Sequence, residues 1–266
     1  MLPVITLSRY NISAHSAKPY TSIIHVIWTT SEVPRRWSRS SKSWPSMNPK
    51  FIHCLWNHSE LETFVADEYP WLLPTYVSYP YVIQRCDVAR YLLLYRYGGT
   101  YVDLDVVCET PLSVIFASAP VNSGVMVAPT EPFGVTNEFI AVRRARDPVI
   151  RGVIAGLRRA AASPWYPPLP YTEVMFRTGP VYFSRLVNCH RGDDRVFVIP
   201  SSKYLRYVDH VGGASWHEWD GRIIWKLYQM RGRIKKFAAI LIAASATVLF
   251  ILVIRNRCFI VSSGHS

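Results

Sequence analysis

At 266 residues the chain can bury one substantial core, and 50% hydrophobic with 14% aromatic residues excludes an intrinsically disordered class. The formal charge of +12 would suit a nucleic-acid binder, but residues 221–266 hold eight Lys or Arg and no Asp or Glu, leaving +4 for the first 220. No basic face with interleaved aromatics stands out in the body, so nucleic acid is not an expected partner.

Residues 1–21 read as a lead-in without a long apolar run, and one catalytic domain is expected over residues 22–230. Ser22–Trp28 has the apolar content of a buried first strand. In nucleotide-binding α/β sheets the ligand lies beyond the carboxyl ends of such strands, and Trp28 stands at that end, either to line a base or to fill the core edge. Pro34 opens a short helix toward Met47, and Lys50–Trp56 reads as the second strand. Ser59-Glu60-Leu61-Glu62 fits a capping box for a helix running through Tyr69. Tyr69–Tyr81, dense in Pro, Trp and Tyr, is expected to be irregular, because proline removes a donor and disfavours helical geometry before it. Its rings form either a stacking platform for a sugar or lipid headgroup or an ordered packing loop.

The chemistry concentrates in Gln84–Val107. A helix is expected from about Ile83 to Tyr97, where Asp87 and Arg90, three apart, point the same way. They form either a structural ion pair or two contacts to a ligand. Gly98 and Gly99 end the helix, and Thr100, Tyr101 and Val102 favour a strand. That strand is expected to deliver Asp103 and Asp105 at its carboxyl end, its period of two putting both carboxylates on one face with Leu104 inward. Two such carboxylates repel unless protonated or bridged, and hard oxygen ligands suit Mg²⁺ or Mn²⁺, which in turn would hold a diphosphate.

After Thr110-Pro111 the pattern gives a short helix, a strand over Val125–Pro129, and a loop and strand over Gly134–Val142 presenting Asn137. Pro148–Ala162 reads as a helix and Ser163–Pro170 as a proline-rich loop, either a flap near an acceptor pocket or a passive surface loop. Thr178-Gly179-Pro180 precedes another helix, and Arg195–Pro200 reads as the last strand. A flexible loop then carries Trp216 and His217. Phe237–Ile254 is an uncharged run of 18 residues; as a helix it would extend about 27 Å, enough to cross a bilayer, with residues 255–266 as a tail. Arg231, Arg233, Lys235 and Lys236 outweigh Arg255 and Arg257, which places the domain on the cytoplasmic side. The sequons at Asn11 and Asn57 point instead to the lumen. Cys54, Cys86, Cys108, Cys189 and Cys258, odd in number and without metal spacing, leave the redox compartment open.

The Asp87-X-X-Arg90 helix, the Tyr97-Gly98-Gly99 turn and Asp103-X-Asp105 together resemble a glycosyltransferase family whose sugar-binding region carries a DXD motif. Ile24–Trp28, Asn48–Trp56, Tyr69–Pro74, Ser78–Pro80, Gly134–Asn137, Thr178–Pro180 and Ser215–His217 extend the resemblance over about residues 22–225. It is nearest to the fungal mannosyltransferases that act on inositol phosphoceramide. The resemblance implies an α/β, GT-A-type nucleotide-sugar-binding fold with a mixed central sheet, followed here by the C-terminal transmembrane helix. It implies a nucleotide-sugar donor, GDP-mannose, a Mn²⁺ or Mg²⁺ ion and a sphingolipid acceptor in the Golgi membrane; a chain this short is further expected to rely on a small membrane regulatory subunit. By resemblance Asp87 and Arg90 contact the sugar nucleotide, Asp103 its ribose or the metal, and Asp105 the metal directly. Asn137 lies beside the transferred sugar, Trp28 and Trp216 border the donor, and His217 is a candidate third metal ligand. Transfer of another sugar, as from UDP-galactose, or to a protein-linked glycan is the alternative within the class. A haloacid-dehalogenase-type phosphatase and a membrane-anchored pseudoenzyme that binds a partner are the alternatives outside it.

Overall fold

A computed structural model describes residues 20–130, 134–162, 169–190 and 194–212, together with Lys226, Gln229 and Met230. Met1–Trp216 forms one compact unit and His217–Ser266 a second, and every element described below belongs to the first. The lead-in before Tyr20, most of the 163–170 loop, Trp216, His217, Cys258 and the 237–254 run lie outside the described residues. Among the described residues no helix is long and apolar enough to cross a membrane.

The first unit is built on a six-stranded mixed sheet. The strands are β1 (Ile23–Ile27), β2 (Ile52–Trp56), β3 (Gly99–Val102), β5 (Val125–Pro129), β6 (Val135–Val142) and β7 (Val196–Val198), in the order β2-β1-β3-β6-β5-β7. β1 runs parallel to both β2 and β3, β6 is antiparallel to β3 and β5, and β7 is parallel to β5. The α/β expectation with a mixed sheet holds. A two-stranded antiparallel sheet joins β4 (Val106–Cys108) to β8 (Val208–His210), so β7 is followed by a further short strand.

Helices cover both faces of the large sheet. α2 (His58–Glu68), α4 (Val82–Tyr97), α6 (Pro148–Ala162) and α8 (Pro180–Asn188) pack on one side, α1 (Ser38–Met47), α5 (Leu112–Ser118) and α9 (Ser201–Tyr207) on the other. Alternation along the strands feeds the two cores: Ile23 and Tyr101 enter the first, Ile24 and Val102 the second. The α4 helix is sealed on nearly every side, Cys86 through Leu94 being buried. Its end is set by Gly98, at φ 66°, whose N–H donates to the Leu94 carbonyl. At Gly99, with φ 88°, an added Cβ would come 2.5 Å from the Ile23 carbonyl oxygen, so only glycine lets β3 lie against β1.

Three local expectations are corrected. The 69–81 segment contains a helix, α3 (Leu73–Ser78), because Pro74 sits in its first turn, where no intrahelical N–H bond is lost. The capping box of α2 is made by Asn57, whose side chain accepts from the Glu60 N–H at 3.0 Å while the Glu60 carboxylate accepts from Asn57 at 2.9 Å; Ser59 lies inside the helix. The third correction concerns the acidic pair: β3 stops at Val102, and Asp103 to Val106 form a turn closed by the Val106 N–H donating to the Asp103 carbonyl at 3.1 Å. The two aspartates are therefore presented by a turn between β3 and β4, not by strand alternation.

Candidate active site

The carboxyl ends of β1 and β3 open into a cleft with room for about 250 Å³. Ile27, Trp28 and Thr29 come from the β1 end; Tyr101, Asp103, Leu104 and Asp105 come from β3 and its turn. The α4 face contributes Val82, Ile83, Cys86 and Arg90, and Trp37 and His58 complete the wall. Four residues expected from sequence, Trp28, Arg90, Asp103 and Asp105, thus line one space. Asp87 and Asn137 sit behind it, and Trp216 and His217 lie outside the described residues.

The layer behind the cleft is a closed polar network. Asp87 and Arg90 are each 2% exposed and pair at 3.0 Å. Asn137, from β6, donates its side-chain N–H to Asp87 Oδ1 at 2.8 Å, and the Thr178 hydroxyl donates to Oδ2 at 3.0 Å. Asn137 also accepts on its backbone carbonyl from Arg90 at 2.7 Å, and its Nδ2 reaches the Tyr91 hydroxyl at 3.1 Å. Tyr91 in turn donates to the Thr178 carbonyl at 2.7 Å. A buried ion pair survives only when its remaining lone pairs and protons are satisfied, and Asn137, Thr178 and Tyr91 contribute to that.

Arg90 connects this layer to the cleft. Its Nη1 lies 3.3 Å from Asp103 Oδ1, and its guanidinium stacks 4.5 Å over the Tyr101 ring. The Tyr101 hydroxyl donates to the same Asp103 oxygen at 2.7 Å. Asp103 is therefore held from two sides. Asp105 receives no side-chain hydrogen bond among the described residues, and its backbone carbonyl accepts from the Val211 N–H at 3.0 Å.

The electrostatics follow the geometry. Burial, then the neighbouring Asp103 charge, pushes the Asp105 carboxyl up to about 6. Asp103 is raised too, by burial first, with Arg90 and the Tyr101 hydroxyl acting against it. Burial also lifts Asp87 to about 6, opposed by Arg90 and by the Thr178 and Asn137 hydrogen bonds. On the far side of the turn, Glu138 accepts from His210 at 3.0 Å and from the Tyr204 hydroxyl at 3.2 Å, and the Glu138 contact raises the His210 pKa.

Whether the pair suits a divalent cation can be judged from these donors. Asp103 and Asp105 offer hard oxygens on one turn, and Asp105 lines the cleft with no side-chain donor among the described residues, which leaves it free acceptor capacity. Among the described residues no third His, Cys, Asp or Glu joins them to complete a protein-only metal cluster. Mg²⁺-type sites commonly use one or two carboxylates with substrate phosphates as the other ligands, so the pair fits such an ion.

Residues 34–122 match the family described as a glycosyltransferase sugar-binding region containing a DXD motif. The chain is 30% identical to inositol phosphoceramide mannosyltransferase 1 of Schizosaccharomyces pombe, over 83% of this chain and 71% of that protein. It belongs to the DXD glycosyltransferase family. Inositol phosphoceramide mannosyltransferase 3 of the same yeast is 29% identical over 90% of this chain and 69% of its own length. A mannosyl phosphorylinositol ceramide synthase of Saccharomyces cerevisiae is 34% identical over 76% of this chain and 54% of its own. The chain thus spans between about half and seven-tenths of these relatives. In this glycosyltransferase the family motif is the Asp103-Leu104-Asp105 turn.

Several residues around the site carried no sequence signal of their own. Trp37, His58 and Cys86 line the cleft, and Thr178, Tyr91 and Tyr101 orient the acids, yet none stands at a diagnostic spacing. Thr178 stands out in the sequence only within the Thr178-Gly179-Pro180 triplet of the family resemblance.

Proposed function

We propose that this glycosyltransferase is metal-dependent and retaining, has a GT-A-type fold, and transfers mannose from GDP-mannose to inositol phosphoceramide. The observation that carries the reading is the Asp103-Leu104-Asp105 turn, which offers two carboxylates to an open cleft at the carboxyl edge of parallel strands. The mannosyl donor and lipid acceptor are taken from the named relatives, and a Golgi membrane setting with the 237–254 run as anchor accords with such an acceptor.

Asp105, supported by Asp103, would hold Mn²⁺ or Mg²⁺, which supplies charge neutralisation to a departing nucleoside diphosphate. Arg90 fixes Asp103 and adds positive charge at the cleft wall. Asp87 and Asn137 fix Arg90 from behind the cleft, with Thr178 holding Asp87, while Trp28 borders the nucleotide. His217 and Trp216 remain candidates for the third metal contact and a cover over the donor. Among the described residues no carboxylate stands out as a nucleophile, so the reaction proposed is front-face substitution. The acceptor oxygen bonds to the anomeric carbon as the sugar–phosphate bond breaks, and the hydroxyl proton passes to the leaving phosphate oxygen.

The test is a transfer assay with the full chain in mixed micelles of inositol phosphoceramide, read by mass spectrometry. Mannosylated lipid is expected from GDP-mannose with Mn²⁺ and none with EDTA. Undiminished product in EDTA removes the metal assignment, and transfer from UDP-galactose instead overturns the donor.

A further inference from the structure

Three tryptophans among the described residues are buried near the β1–β3 edge, and two have their indole N–H satisfied. Trp44 donates to the Val106 carbonyl at 2.8 Å and Trp56 to His25 Nδ1 at 3.3 Å. Trp37, 6% exposed, has no hydrogen-bond partner for Nε1 among the described residues. An indole N–H can only donate, and leaving a buried donor unpaired costs free energy comparable to a lost hydrogen bond. Trp37 also lines the cleft, whose wall includes Leu104 and Asp105.

The placement of this N–H is built. A 3₁₀ turn over Arg35–Trp37 leads into α1, and the Ser40 hydroxyl lies within hydrogen-bond reach of both the Trp37 and the Leu104 carbonyls. One side chain thereby fixes the Trp37 turn to the acidic turn. The exposed Arg36 guanidinium stacks 4.9 Å over the Trp37 ring and has no carboxylate partner among the described residues. Arg36 covers one face of the ring, and the ring's one polar atom is buried without a partner among the described residues.

We propose that the Trp37 indole N–H donates a hydrogen bond to an oxygen of the nucleoside diphosphate bound next to the Asp103-Leu104-Asp105 turn. The assignment rests on the donor-site reading above. A nucleoside diphosphate suits the position because its phosphate and ribose oxygens are acceptors, whereas a further donor group there would leave the N–H unpaired. Trp37 is thus a binding residue for the leaving group, and its hydrogen bond serves any sugar carried on the same diphosphate.

The full chain is titrated with GDP and, separately, with GDP-mannose in the presence of Mg²⁺, as wild type and as Trp37→Phe, which keeps a ring but lacks the N–H. Binding of both ligands is expected to weaken by a similar factor, about tenfold, with no change in melting temperature. The indole ¹H–¹⁵N resonance that disappears in Trp37→Phe is expected to move when GDP and Mg²⁺ are added to the wild type, a readout that does not depend on the variant's stability. Wild-type affinity retained in Trp37→Phe, a loss confined to GDP-mannose, or an unmoved resonance in wild type that binds GDP overturns the assignment alone. Wild type that binds neither ligand overturns the donor-site reading with it.

Discussion

Asp87 and Asp105 stand 18 positions apart on the same helix–turn–strand unit, and burial lifts both carboxyls to about 6, yet they occupy opposite chemical situations. Every oxygen of Asp87 is taken by a protein donor: Arg90 and Asn137 on Oδ1, Thr178 on Oδ2. Asp105 lines the cleft and accepts no side-chain donor among the described residues. A raised pKa alone does not identify a ligand-binding acid. What separates the two is whether the protein has already filled the acceptor capacity. The sealed acid holds Arg90, and the open one keeps its acceptor capacity toward the cleft.

The largest expected effect falls on the open side. Asp105→Ala should reduce transfer by more than about a thousandfold, the scale set by removing preorganised charge stabilisation. Its melting temperature at pH 7 should stay level or rise, since a carboxyl whose folded pKa is raised is costly when ionised in the folded state. A clear loss of stability in Asp105→Ala would mean that Asp105 is structural after all.

Arg90→Leu probes the sealed side. It strands Asp87 in the interior, and breaking a buried pair from one side costs about 3–5 kcal/mol. The urea midpoint should fall accordingly, and the companion Asp87→Asn/Arg90→Leu change should recover part of the loss by removing the orphaned charge. A single variant as stable as wild type would contradict the closed network.

His25 tests sealing from a neutral group. It is fully buried, accepts from the Trp56 indole on Nδ1 and donates from Nε2 to the Gly98 carbonyl at 2.9 Å, and burial lowers its pKa to about 4. With the folded value below the unfolded 6.5, its stabilisation is complete above pH 6.5 and is lost as pH falls toward 4. The raised acids Asp87 and Asp105 act in the opposite sense, so the informative quantity is a difference. Between pH 7 and 5, wild type should lose about 2 kcal/mol relative to His25→Gln, measured by urea unfolding. Parallel curves would show that His25 does not titrate as placed. The smallest effect is expected for Thr178→Val, which removes one donor to Asp87 and should cost about 1–2 kcal/mol.

The sequence made the regular elements legible where a single local rule decides them. Strand β5 and helix α6 fall where apolar runs and a leading proline put them, and Gly98-Gly99 ends α4 because those residues alone tolerate the required φ. The acids were legible as a motif, but not their support. Asp103 and Asp105 lie on a turn, because the Val106 N–H bonds back to Asp103, and no side-chain periodicity encodes that bond. Asn137 and Thr178 meet Asp87 across 50 and 91 residues, a convergence created by β6 and the start of α8 packing on α4. Pro74 misled because proline's effect depends on whether it falls inside a helix or in its first turn. Trp37 gave no signal at all, since a buried aromatic with a satisfied N–H and one without look alike in sequence.

The central claim is that the Asp103-Leu104-Asp105 turn, together with a divalent ion, holds a nucleotide sugar. Calorimetric titration of the full chain with GDP-mannose and with UDP-galactose, each with and without Mn²⁺, tests it most directly. The account predicts binding of GDP-mannose that requires Mn²⁺ and disappears in Asp105→Ala. Metal-independent binding, or binding that survives Asp105→Ala, would contradict it.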